Sequence, residues 1–417
     1  MDRRKFIKVG AALSVAPEIM LSASERKLPA QTNYGYAAAE EAPMDLYLSW
    51  DDGDGTPDLR VEIRHLLGRC GYSFDQRHTA GRHFAGTYFP GDKPSVSVSA
   101  ASDSVSEALP VRVEWVPSAR RSLHLGARPT MTPLTLNIGD EFYFTLMDGS
   151  TRHVRLLSTE AQITETGTDP IDGRTERVTQ YRYAADFTVD GEPLRIERIN
   201  PKQSSFFEKP LIVGGMMIWL DAVKAIFDDA GGFMGEKDYE STGITCRPKR
   251  DARIVVQDAS LRVCPGAQSP WFPGSERPHK VRICYHGRDT WMGTWTEGGS
   301  LAHGGLDINM PSGTILTCPI DVDTQYLFKA TARGDKNNRW RAERKFPDGT
   351  VWWLQAHHIN FLLPGIEEHT PLRSGVPYAD TAGTFFGAYE HTHFCLRIFD
   401  GEEDFWLDPW LLMRDCL

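Results

Sequence analysis

Three Asp-Gly pairs, Asp148-Gly149, Asp190-Gly191 and Asp348-Gly349, constrain the fold of this chain more than any other feature. Asp-Gly is a strong hairpin signal, because glycine enters the positive-φ region that a tight turn requires at no steric cost. The neighbouring runs alternate. Glu141-Phe-Tyr-Phe-Thr-Leu146 and Leu194-Arg-Ile-Glu-Arg-Ile199 put apolar and polar side chains on opposite faces, the period-two pattern of half-buried strands. The sequence therefore predicts a mainly β chain built from hairpins, with one or two short helices. The clearest helix is expected from Gly214 to Asp229, where Met217, Leu220, Val223, Ala225 and Phe227 supply an apolar face that Gly231-Gly232 ends.

A chain of 417 residues with 41% hydrophobic and 24% charged residues has ample material for two or three packed domains and is not disordered. A net charge of −10, with no Lys/Arg run beyond the first few residues, argues against nucleic acid or an anionic membrane surface as a partner. The Pro/Gly-rich stretch Pro265–Pro278 is the best domain boundary, and a second lies near Pro129–Pro133. The expected organisation is a leader at 1–24, a linker at 25–44, a β-rich accessory region at 45–264 that breaks near 129–133, and a C-terminal domain at 265–417. The seven cysteines are odd in number, so at least one is free or pairs between chains in an oxidising compartment. Cys246 with Cys264, or Cys284 with a C-terminal cysteine, are candidate pairs.

The chemistry concentrates in the C-terminal histidines. His-x-His is weak evidence alone, since 13 histidines in 417 residues give roughly 0.4 such pairs by chance. His391-Thr-His393 gains weight from its setting among Phe385, Phe386, Phe394, Leu396 and Ile398, which read as strand. Alternate side chains of a strand face the same way, so both imidazoles would enter one site. Upstream, His303-Gly-Gly-Leu-Asp307 offers another imidazole and a carboxylate. Its two glycines argue against a helix, and Leu306-Asp307-Ile308 reads as the start of a strand. Histidine and aspartate ligands suit zinc, and no Cys-x-x-Cys spacing suggests a closed structural site. The other histidines, His65, His78, His83, His124, His153, His279, His286 and His369, read as ordinary surface or core groups.

The segments His303-Gly-Gly-Leu-Asp-Ile-Asn-Met-Pro-Ser-Gly-Thr314, Phe346-Pro-Asp-Gly-Thr-Val-Trp-Trp-Leu-Gln-Ala-His-His-Ile359 and His391-Thr-His-Phe394 resemble, in that order, motifs of the LytM/lysostaphin-type zinc endopeptidases of bacterial cell walls. The resemblance covers roughly the last 150 residues. It implies a C-terminal antiparallel β-sheet metallopeptidase domain in which His303, Asp307 and His393 hold zinc. His391 and His357 would do the acid/base and oxyanion work, with His358 the alternative to His357. Cys395 stands where the family commonly has an acidic residue. The resemblance implies a peptidoglycan peptide or a protein as substrate.

At the N-terminus Asp2-Arg3-Arg4-Lys5-Phe6-Ile7-Lys8, followed by a short apolar segment, resembles a twin-arginine export signal, which implies a periplasmic or extracellular mature chain. The apolar run is far shorter than the roughly 20 residues of a membrane span. Trp50-Asp-Asp-Gly-Asp-Gly-Thr-Pro-Asp58 reads either as a calcium loop, with Asp52, Asp54 and Asp58 as oxygen ligands, or as an Asp-Gly turn. The expected function is an exported zinc endopeptidase. The alternative is a catalytically silent relative that serves as an interaction module for another wall hydrolase.

Overall fold

The structure is a computed structural model that describes residues 32–35, 43–50, 59–65, 68–74, 81–88, 95–100, 111–168, 175–200, 209–224, 248–273, 294–295, 301–302, 305–329, 338–382 and 391–416. The described chain is nearly all strand and mostly antiparallel, with one short helix at Trp410–Asp415. The Asp-Gly pairs turn hairpins as their chemistry requires. Asp190 (φ 52°) and Gly191 (φ 89°) both take positive φ and join Thr175–Val189 to Glu192–Asn200 by a two-residue loop. The other two turns share a different design. In each the glycine has φ above 80°, and the aspartate accepts the backbone N–H of the residue two positions on, Ser150 at 2.8 Å and Thr350 at 3.0 Å.

The N-terminal half contains two sheets packed over one core. Phe142, Phe144, Leu156 and Phe187 from a five-stranded sheet meet Met216, Ile218, Leu220 and Ile254 from a four-stranded one. The helix expected at 214–229 is absent from its described part. Leu211–Val213 and Met216–Val223 form a hairpin through Gly214-Gly215, and the second strand also pairs with Ala252–Asp258. The misreading has a physical cause, for this strand is buried on both faces. Met216, Ile218 and Leu220 face the core just described, whereas Met217 and Trp219 face the C-terminal core, so period-two alternation is erased.

The C-terminal half is organised on an eight-stranded sheet. Its central path runs Leu306–Asn309, His391–Phe399, Val351–Leu362, Asn338–Lys345, Thr324–Phe328. One face is a dry core in which Leu306, Phe394, Ala356, Trp340 and Leu327 form a transverse row across all five strands, each at most 7% exposed. Trp271 seals this face. It is fully buried, meets Phe394 edge-on at 4.9 Å, and donates its indole N–H to the Tyr378 hydroxyl at 2.9 Å. The start of the Pro/Gly-rich stretch is thus packed into the C-terminal core.

Cys264, Cys318, Cys395 and Cys416 are buried, and no disulfide joins them to one another. Cys246, Cys284, the export motif at 2–8 and the calcium candidates Asp52, Asp54 and Asp58 lie outside the described residues. No helix among the described residues is long and apolar enough to cross a membrane.

Candidate metal centre

The polar face of the C-terminal sheet carries the site, and strand register assembles it. His393 is directly opposite Asp307 on one side and His357 on the other, and His391 is opposite Asn309. Directly opposed positions on antiparallel strands have Cβ atoms about 4.5–5.5 Å apart, so four of the five sequence-selected positions gather in a few square nanometres of sheet. His303 lies outside the described residues. Asp307 and His391 are described through their backbone register.

The rings of His357 and His393 are 4.7 Å apart, each under 10% exposed. The Cys395 thiol lies 3.0 Å from Nε2 of His393. His357, His393 and Cys395 bring three donor atoms within 4.8 Å of one another. Period two could have found Cys395 in the sequence, since it follows His393 by two on the same strand. Gly305 keeps the place open, because a Cβ there would overlap Nε2 and Cε1 of His393 and crowd the Phe394 carbonyl. An imidazole pair with a carboxylate position opposite it, beside a glycine that cannot carry a side chain, fits a borderline-soft ion such as zinc.

Both adjacent histidines reach the site. In a regular strand His357 and His358 would point to opposite faces. Here Arg339 pairs with His357 and Asn338 with Ile359, so His358 is the extra residue of a β-bulge at φ 61°. The bulge leaves the ring of His358 6.3 Å from that of His357 and 6.5 Å from that of His393. Sequence spacing carries no sign of this, because His358 is not a residue that marks positive φ.

Burial, first, and then the charge of Arg339 hold His357 well below the ordinary imidazole pKa, so it is neutral near pH 7. Its Nε2 lies 3.1 Å from Oε1 of Gln355, the residue two positions back on the same face. With that oxygen as acceptor, Nε2 carries the proton and Nδ1 is the basic atom.

No known family and no curated protein matches the sequence. Among solved structures the chain is similar to lysostaphin (15% identity, 28% of this chain and 44% of that one, TM-score 0.23). It is similar also to a zinc-containing peptidase from Vibrio cholerae (12% identity, 60% and 85%, TM-score 0.26). A glycyl-glycine endopeptidase LytM structure from Ruminococcus gnavus matches at 17% identity, over 26% and 45%, with a TM-score of 0.19. The chain spans less than half the length of lysostaphin and of the Ruminococcus protein. At these TM-scores the likenesses carry no argument about function.

Proposed function

We propose that this chain is an exported zinc-dependent endopeptidase that hydrolyses peptide bonds of bacterial peptidoglycan. The observation that carries the proposal is the buried His357–His393 pair, 4.7 Å apart and in register with Asp307. His303, Asp307 and His393 would hold the ion. Zinc with three protein ligands supplies an open position whose water has a pKa lowered to about 7. His357, neutral because it is buried, accepts a proton at Nδ1 and can return it to the leaving amine. His391, two residues from His393, is assigned to the oxyanion. Gln355 orients His357 through Nε2, and the apolar row beneath holds the strands in register.

Zinc analysis of the purified chain and of its His393→Ala and His391→Ala variants, with each assayed for new amino termini released from isolated peptidoglycan, tests this reading. The expected outcome is stoichiometric zinc and release for the parent, loss of both in His393→Ala, and zinc without release in His391→Ala. Zinc in the parent without release would favour a silent interaction module. A parent that binds no zinc would overturn the proposal.

A further inference from the structure

The polar row does not stop at His357. One strand further on, Arg339 sits directly opposite His357, and Arg341, two residues along, sits opposite Gln355. Both arginines therefore share the face of the histidines. The row ends on the edge strand, where Phe328 is opposite Arg339 and Tyr326 opposite Arg341. Phe328 is 46% exposed, and both guanidiniums lie over its ring, at 5.7 and 5.1 Å from the centroid.

Two cations so placed repel each other. Their surroundings do little to relieve this, since among the described residues neither guanidinium meets a carboxylate. The Nε atoms of Arg339 and Arg341 are both buried without a hydrogen-bond partner. Among the described residues, the one hydrogen bond of the Arg341 guanidinium is a long one of 3.4 Å from Nη1 to the Tyr326 hydroxyl. Burial and the neighbouring Arg341 push the Arg339 pKa down, the sign of a charge without adequate compensation. Other arginines of this protein do meet carboxylates, as half-buried Arg121 meets Asp140 and buried Arg397 meets Asp404.

We infer that Arg339 and Arg341 form a carboxylate-binding subsite beside His357, which anchors a free carboxylate of a peptide substrate within a residue or two of the bond to be cleaved. The guanidinium fork matches a carboxylate bidentately, and a lysine could not reproduce that geometry. The distance fits as well, because the arginines begin one strand spacing, about 5 Å, from the candidate base, whereas one extended residue spans about 3.3 Å. Phe328 provides a half-exposed apolar wall for the side chain next to that carboxylate. The inference rests on the peptidase reading for its substrate, a peptide, and on the arginine pair alone for the anion. The carboxylate has two sources, a chain terminus or an acidic side chain.

The full-length protein, and its Arg339→Gln, Arg341→Gln and Arg341→Lys variants, would be titrated by calorimetry with three probes: N-acetyl-Ala-Ala-Ala with a free carboxylate, the same peptide as its amide, and N-acetyl-Ala-Glu-Ala amide. Zinc content and thermal midpoint would be recorded for each protein. A parent that binds the free acid at least tenfold more tightly than the amide supports a terminal carboxylate. The same preference for the glutamyl amide supports an acidic side chain. In either case the Gln variants should lose the preference while keeping parental zinc, and Arg341→Lys should restore only part of it. A parent that binds acid and amide forms equally, or binds none of the probes, overturns the inference, and it needs no variant to fold. The two readings fail separately. Zinc with peptidoglycan release but no carboxylate preference leaves the peptidase standing, whereas carboxylate preference without zinc leaves the subsite standing.

Discussion

At Gly305 the site depends on the absence of a single carbon. Its neighbours on the other strand are a histidine edge and a backbone carbonyl, so a methyl group has nowhere to go unless His393 turns or the strands part. Gly305→Ala should therefore weaken zinc at least tenfold, measured by competition with a chromophoric chelator, while a Gly126→Ala control, whose Cβ would meet open space at an ordinary φ, leaves zinc unchanged. Equal zinc affinity in parent and Gly305→Ala would show that His393 does not hold the ion. Residue identity made part of this legible in the sequence. His393, His357 and Asp307 stand out by type and order, and Cys395 follows from period two. Arg339, Arg341 and Gln355 do not stand out, because their roles arise from cross-strand register, which couples positions up to some fifty residues apart. Nor does His358, whose place depends on a bulge.

Among the elements, the Asp148-Gly149 turn shows how a hairpin is fastened to its neighbour. Asp258, at the end of its strand, accepts the Met147 N–H at 2.7 Å and the Ser260 N–H and hydroxyl at 2.8 and 2.5 Å. These bonds keep its carboxyl below the usual aspartate pKa, led by the Ser260 hydroxyl. The folded value is lower than the unfolded value of 3.8, so the stabilisation is fully present above that pH and is lost as pH falls through the folded value. Asp258→Ala should cost roughly 1–3 kcal/mol near neutral pH. In denaturant titrations the gap between parent and variant should narrow as pH falls below 3.8, and a gap that stays constant as the pH is lowered from 7 into that range would refute the assignment. Strands with one wet face, such as Glu141–Thr145 and Glu192–Asn200, were readable from alternation. Met216–Val223 was not, because a strand lined by apolar groups on both sides has the composition of a buried helix.

Across the whole molecule, polar bonds cross between the halves at buried points. Arg198 of the N-terminal region reaches Asp408, just before the C-terminal helix, at 3.0 Å, and Asp408 donates its N–H to Asp221 at 2.9 Å. Arg253 holds the other oxygen of Asp221 at 2.6 Å. Removing one partner of such a pair leaves a buried charge, so Arg198→Ala should cost roughly 3–5 kcal/mol. A loss below about 1 kcal/mol in denaturant titration would count against this network. Long-range links of this kind have no sequence signature, since Arg198 and Asp408 are separated by 210 positions. The double-sided strand Met216–Val223 adds a consequence of its own. It is a party wall, with Met216, Ile218 and Leu220 lining one room and Trp219 the other. Neither room keeps its shape once the wall is gone, so calorimetry should record one heat-absorption peak, which Trp219→Ala moves to lower temperature without splitting.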